Sequence, residues 1–529
     1  MSDEQNSSAV LQLDDSEANW SRVAPIAMAY FFIKGLYLFV TNGLLYMLPV
    51  LVLQRDKILE HPIILGLVVI GIILFFLVMS VLRYFFYFYR LSGERVEVRH
   101  GVFKKSHLDL PFNKIQNVKI EQPFYYRYHK YATVELETAG SASQEAKIVA
   151  LKLDVAEAFK RKILNIQDKQ SSTSATATAN SDNSTSTHHS DDEVVLNTRS
   201  IVDLVIHGIT NNRVWIFLGA AAPFYQTIAE DIGDILLSFG FDIAAFLDFE
   251  SLSMGMFLLH ALSLVMIIML LLVSLSVIAS IFVFYNYQLS KHGDRYIRRS
   301  GLITKQEVSM KASRIQVATQ QQDWLDIVID RANVRLEQNS SGVPTANQAG
   351  QLSSPSKLIV PSVTRKESDF IIGDVFGVES LNAMHFTPVS KRLMLRYLIW
   401  PVGPILLILL AAFIAINPTL TGWLAYLGIC CFVSFLAFMR WYRWGYCITE
   451  DYICVRRGML GVDLSIFPKR KLQQAKFKQT IFMQKHQLAS INFVLASGGQ
   501  SIPYIPAQTV AEIIDESLLL VERDKPAWM

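Results

Sequence analysis

Two intervals recur three times along this chain. Gly101 is followed after fifteen residues by Gln116, and Gln116 after sixteen by Ala132. Gly301, Gln316 and Ala332 repeat both spacings, and so do Gly458, Gln473 and Ala489. An aromatic anchor opens each copy, at Tyr89, Tyr287 and Tyr446. Two intervals held constant in three copies mark an internal repeat, so one folding unit is built three times. The chain has 529 residues, which leaves room for long segments between the copies.

Within a copy the pattern is that of β-structure. "RVEVRHG" and "ATVELETA" alternate apolar and polar residues with the period of half-buried strands. The glycine after "EVRH", "IRRS" and "CVRR" suits a hairpin turn that needs positive φ. A further short strand follows, "KIVALK", "KLIVPS" or "SIPYIP", and then a helix: "DVAEAFKRKIL", "KESDFIIGDVF" or "TVAEIIDESLLLVE". Thr509 with Glu512 three residues on reads as a capping box for the last helix. Antiparallel strands ending in one helix describe a small sandwich or barrel plugged by that helix.

Between the copies lie apolar runs. Hydrophobic residues make up 51% of the chain, charged residues 18%, and mean hydropathy is +0.30, a balance that points to a membrane protein with sizeable water-soluble parts. Six spans are predicted in three pairs: 35–53 with 62–82, 214–232 with 256–284, and 397–416 with 422–439. Glu230 and Asp231 interrupt the third of them. Basic residues flank one side of every pair: Arg22, Lys34, Arg83 and Arg90; Arg213, Lys291, Arg295, Arg298 and Arg299; Lys391, Arg392, Arg396, Arg440 and Arg443. The opposite loops are acidic at 230–250, uncharged in "NPTLTG" and balanced at 54–61. By the positive-inside rule both termini and all three repeat units are expected in the cytoplasm. Lys34 and Arg83 are expected to snorkel to that surface rather than act within the bilayer. The polar, acidic N-terminus lacks the basic region of a signal peptide, so the first apolar helix is expected to remain as an anchor.

Few residues suggest chemistry. The four cysteines, Cys430, Cys431, Cys447 and Cys454, have no C-x-x-C spacing; Cys447 and Cys454 are expected to face each other across a hairpin as a reduced pair. The eleven histidines are scattered, and no phosphate loop, H-E-x-x-H or G-x-S-x-G is present. No catalytic residue, cofactor or metal is expected. A net charge of +3 gives no nucleic-acid signal. The basic groups Lys104 and Lys105, Arg298 and Arg299, Arg456 and Arg457, and Lys469, Arg470 and Lys471 are the candidates for contact with an anionic membrane surface or a partner. The recurrent glycines, glutamines and alanines are read as structural anchors.

The run "GVFKKSHLDLPFNKIQNVKI" with "ATVELETAG", preceded by "YRLS", resembles the bacterial pleckstrin-homology-like domain of the YdbS/YdbT type. "HGITNNRVW" at 207–215 is similar to the entry to the second span pair in YdbT-type proteins. The first copy is the best match. The second has a two-residue insertion after "YQLS" and a longer loop near 340–357, and the third keeps only the skeleton. The resemblance implies six transmembrane helices in three hairpins, each followed by a cytoplasmic PH-like β-sandwich or barrel with a C-terminal helix, in a bacterial cytoplasmic membrane. The expected division is a tail at 1–21, hairpins at 22–90, 194–286 and 388–443, PH-like domains at 87–166, 285–378 and 444–524, and a disordered linker at 167–193. PH domains of eukaryotes read phosphoinositides with a basic first hairpin; "TEDY" in the third copy lacks that charge, so such binding is not expected. The leading expectation is a non-enzymatic scaffold that presents three domains to membrane lipids and to a protein partner, such as a smaller one-domain relative or other copies of itself, in envelope maintenance or stress tolerance. A transport or export component, or a lipid-binding protein, are the alternatives.

Overall fold

The computed structural model describes residues 20–40, 62–91, 95–138, 146–163, 193–211, 254–338, 357–416 and 419–524. In the first copy, Phe88–Leu91, Arg95–His100 and Ser106–Pro111 form an antiparallel meander. Its outer edge is completed by Ser21–Arg22, which precedes the membrane helices in sequence. Val194–Thr198 and Thr387–Pro388 hold the same place in the second and third copies. The apolar segment is thus inserted between the first and second strands of its own domain. The expected divisions at 87, 285 and 444 cut each domain from its first strand; pairing of the strands on either side closes the mouth of the insertion.

The second half of each copy has three strands and a helix. In the first copy these are Ile115–Pro123, Tyr131–Thr138, Ala146–Lys152 and helical residues 153–163. Their counterparts are Ile315–Gln322, Arg331–Gln338, Lys357–Thr364 and Arg365–Phe376, then Gln474–Lys478, Leu488–Leu495, Gly498–Pro506 and Ala507–Asp524. The repeated residues sit where the backbone departs from regularity. Gly101 and Gly301 share φ +119°, and a Cβ on either would lie 2.0 Å from the carbonyl oxygen of the residue three further on. Gln116 and Gln316 fall at a β-bulge opening the first strand of this half. Ala132, Ala332 and Ala489 are fully buried beside a second bulge present in all three copies. Lys130, Asp330 and Gln487 adopt positive φ at one repeat position, and Ala150, Ser362 and Tyr504 at another. The expected capping box is displaced: it occurs at Thr364 and Glu367 in the second copy, whereas the last helix begins at Ala507 and leaves Thr509 inside its first turn.

The sheets do not stop at the limits of a copy. Ile115–Pro123 pairs antiparallel with Thr304–Lys311 of the second copy, and Ile315–Gln322 pairs with Val462–Pro468 of the third. Two seven-stranded sheets result, each built half from one copy and half from the next. The register is the same at both junctions once the repeat offset is removed: Val308 faces Lys119, and Ser465 faces Thr319. Cores cross the boundary too. Cys454, Leu464 and Ile466 of the third copy belong to the second copy's core, and Val317 of the second belongs to the third's. Burying one such aliphatic side chain is worth about 1.5–3 kcal/mol, so the second junction is a packed interior rather than a loose contact.

An ion-pair cluster also ties the first junction. Lys160, nearly buried, bonds Glu307, which also accepts from Arg299 at 2.9 Å; Arg299 is paired further with Glu193. Burial alone would raise the Glu307 pKa, but Lys160 and then Arg299 outweigh it and hold the carboxyl below the ordinary 4.5. A carboxylate depressed in the fold contributes stability above its unfolded pKa and loses it as pH falls through the folded one. Hydrogen exchange in strands 115–123 and 304–311 is therefore expected to accelerate in the native chain as the pH falls below the ordinary carboxylate range. Lys160→Met should weaken the junction by roughly 1–2 kcal/mol at neutral pH and blunt that acid response.

Among the described residues three helices are long and apolar enough to cross a membrane, over Gly66–Phe85, Val265–Phe284 and Gly422–Arg443. Arg392–Trp400 and Gly403–Ile414 form a fourth candidate bent by 42° about a π-turn containing Pro401. Most of the expected spans 35–53 and 214–232, the 230–250 and 54–61 loops, the linker and most of the 340–357 loop lie outside the described residues. Each long helix runs almost directly into a strand, at Phe88, Gln288 and Gly445, which leaves little slack between membrane segment and domain.

Candidate functional site

The turn after the repeated glycine sits on the end of the membrane helix. Gly301 N–H donates to Tyr285 O and Leu302 N–H to Phe282 O, both at 2.9 Å. Arg127, reaching across from the first copy, donates to the carbonyls of Gly301 and Leu302. The turn therefore lies at the depth where the apolar helix ends, and in every copy its tip is apolar and exposed: Phe103, Ile303, and Met459 with Leu460. Phe124, Trp324, Ile481 and Phe482, from the short helix that follows the first strand of the second half of each copy, are exposed as well. Apolar tips beside helix ends suit insertion into the interfacial layer of a bilayer.

In the first copy this turn borders a cleft of about 510 Å³ between membrane helices and domain. Tyr30, Phe31, Leu38 and Met79 form its apolar side; Lys34, Arg83, Lys104 and Lys147 bring four cations to its lining. Burial pushes Lys147 down to about 8, with Lys34 and Lys119 adding repulsion against the attraction of Glu121. Glu135 pairs with both Lys147 and Lys119. Burial also holds His100, on the same lining, below its ordinary value, so its ring is neutral at physiological pH. An apolar wall under converging cations is complementary to an anionic head group carrying acyl chains. A second cleft, about 980 Å³, lies in the third copy between the Arg392–Trp400 segment and the 479–488 turn, lined by Arg396, Trp400, Phe482 and Tyr504.

Of the nine basic residues singled out in the sequence, three face solvent: Lys104, Lys105 and Arg470. Arg298 is fully buried, between the Tyr287 side and Gln306, and cannot present its charge to a membrane. Lys469 is buried and paired with Glu516 at 2.9 Å. Arg299 is consumed by Glu193 and Glu307; Arg457 lies 3.7 Å from Asp463. Arg456 caps the preceding membrane helix through Arg443 O at 3.2 Å. Lys471 donates to Ser313 O and Ile315 O of the second copy at 2.5 and 2.6 Å, so it fastens a junction. Dibasic spelling in a strand does not reveal which residue points inward; neighbouring sheets decide that. Lys34 and Arg83, expected only to snorkel, line the cleft with Lys104, and Lys147 joins them from the far end of the domain with no motif to announce it. Cys447 and Cys454 do face each other across a hairpin, both as free thiols.

Tandem PH-like β units fused to apolar helices define the class. The sequence profile described as Bacterial PH domain matches residues 37–167, 239–357 and 397–519, and the chain belongs to that family, with the unit present three times. The matches begin within or beside the apolar segments, in keeping with an insertion inside each domain. The chain is similar to the UPF0699 transmembrane protein YdbT of Bacillus subtilis (strain 168), at 19% identity over 463 residues, 86% of this chain and 88% of the relative. No solved structure matches.

Proposed function

We propose that this protein is a non-enzymatic membrane scaffold: six spans in a bacterial cytoplasmic membrane hold three PH-like domains as one stiff cytoplasmic strip against the lipid surface, where they bind a protein partner. The observation that carries this reading is the sharing of both seven-stranded sheets between successive copies. Domains meant to act separately have no need of a common sheet; a common sheet fixes spacing and orientation. Helices that pass straight into strands, together with the apolar turn tips, support a fixed height above the bilayer. Tethered modules in fixed array can use weak contacts, because effective concentration multiplies them. The test is isolation of the tagged chain, at native level and with its surrounding lipid, followed by mass spectrometry. A reproducible stoichiometric protein partner, or additional copies of the chain, is expected. A single copy carrying no protein at all would overturn the scaffold.

The cleft of the first copy favours a second activity on the same strip, binding of an anionic lipid head group. Removing one cation from the lining should cost about 1 kcal/mol, or about fivefold in affinity. Arg83→Gln and Lys104→Gln are each expected to lower retained phosphatidylglycerol about fivefold in native mass spectrometry, with phosphatidylethanolamine unaffected. Lys147 is charged below about 8 and loses its proton above it. Retention should therefore weaken between pH 7 and 9, and a pH-independent profile would exclude Lys147 from the site.

A further inference from the structure

Among the described residues, two strands at the junction-forming positions of the repeat have no partner on their outer side. Ser106–Pro111 closes the four-stranded sheet at the start of the chain, and Gln474–Lys478 closes the three-stranded sheet at its end. They are the repeat equivalents of the strands that join at the internal junctions. Ser106–Pro111 corresponds to Thr304–Lys311 and Val462–Pro468; Gln474–Lys478 corresponds to Ile115–Pro123 and Ile315–Gln322. Resting on the scaffold reading above, we infer that the partner at these edges is a second copy of this chain. Its Ser106–Pro111 strand adds to Gln474–Lys478 of the first, extending the tandem head to tail.

Three observations carry the inference. Exposure marks the same position: Phe477 is 47% exposed, whereas its equivalents inside the junctions, Ile120 and Gln320, are 6% and 0% exposed. On the opposing strand Leu108 is half-exposed, whereas its equivalents Val308 and Ser465 are buried. The end strand is also short, five residues against nine and eight for its paired equivalents, as an edge is before a neighbour extends it. Finally, the chain has built this junction twice in one register, so the geometry of a third is already defined. That register sets Ala475 opposite Asp109, Lys476 opposite Leu108, Phe477 opposite His107 and Lys478 opposite Ser106. Lysines on an edge discourage indiscriminate pairing, which leaves a strand that matches in both side-chain pattern and turn geometry as the partner admitted.

The chain's own two edges do not pair with each other, so the contact is between molecules and heterologous. Such a contact gives a ring where the rotation closes and an open row where it does not. The operation also suits the membrane: the internal junctions already relate units whose helices enter one bilayer, and a repeat of the operation keeps the next molecule in that bilayer.

The experiment co-expresses two differently tagged full-length chains, one Phe477→Cys and the other His107→Cys, in native membranes under mild oxidation. Opposed residues of neighbouring strands bring Cβ atoms within disulfide reach. A mixed covalent dimer is expected, at least tenfold above either single variant with wild-type, which report the background of the four native cysteines. Phe477→Cys with Leu108→Cys, which points to the other face, should stay at background. Phe477→Asp, at an exposed position, should reduce the complex to single copies in native mass spectrometry while leaving thermal stability unchanged. Background cross-linking together with a single-copy mass overturns the inference. If a one-domain relative occupies the Phe477 edge instead, the inference falls and the scaffold stands. If neither a second copy nor any partner is found, both fall.

Discussion

Gly301→Ala is expected to unfold the second domain at a temperature about 10 °C or more below wild-type. At φ +119° the residue occupies backbone space that L side chains rarely enter, and a Cβ would sit 2.0 Å from Thr304 O, a backbone atom that cannot swing aside. Strain of this kind costs about 1–3 kcal/mol before the clash is counted, and the turn must also break its bonds to Tyr285 and Phe282 on the membrane helix. A total loss of more than about 3 kcal/mol follows, against a domain stability of only about 5–15 kcal/mol. Pulse proteolysis in lipid discs measures it. Gly293→Asn is the comparison: φ there is +56°, no atom lies within 4 Å of the added Cβ, and Asn tolerates that conformation. It should shift the transition by little. Equal effects at the two glycines would refute the argument from the Thr304 carbonyl.

Gly461→Val is expected to open the second junction while leaving the third domain folded. A Cβ at Gly461 would lie 2.4 Å from Gln322 O and 3.2 Å from Asp323 Cα, both backbone atoms of the preceding copy. The strands must separate to admit the side chain. Overpacking of this size costs about 1–3 kcal/mol, so amide protection in 318–322 and 462–466 should fall about thirtyfold. The amides of Leu488–Leu495, which pairs with Gln474–Lys478 and Gly498–Pro506 inside the third domain, lie away from the junction strands and should keep their protection. Loss of protection throughout the domain would mean that the copies fold only as one body. The equivalent residue at the first junction is Thr304, opposite Pro123, so the requirement for glycine is particular to the second.

The repeat, the β character of each unit, the terminal helix, the positive-φ glycines and the facing of Cys447 with Cys454 were all legible in the sequence. Each depends on neighbours within a few residues or on a hairpin, where spacing alone dictates geometry. A bulge falls at Gln116 and at Gln316, a backbone feature of which their amide chemistry gave no hint. The basic residues were read less well. Arg298 and Lys469 look like surface charges in a list of letters, and only the sheet packed over them puts them inside. The cleft likewise gathers Lys34, Arg83, Lys104 and Lys147 from four places in the chain.

By itself the sequence determined that one β unit is made three times and that apolar segments accompany it, because periodicity and fixed intervals are local properties of the chain. Only the tertiary structure decided that each unit begins before its membrane segment and that each sheet is completed by the next copy. The reason is that strand edges are joined by backbone N–H and C=O groups, which every residue but proline carries alike. An edge strand and a paired strand can therefore be spelled with the same letters, and which strand lies beside which is settled by the fold.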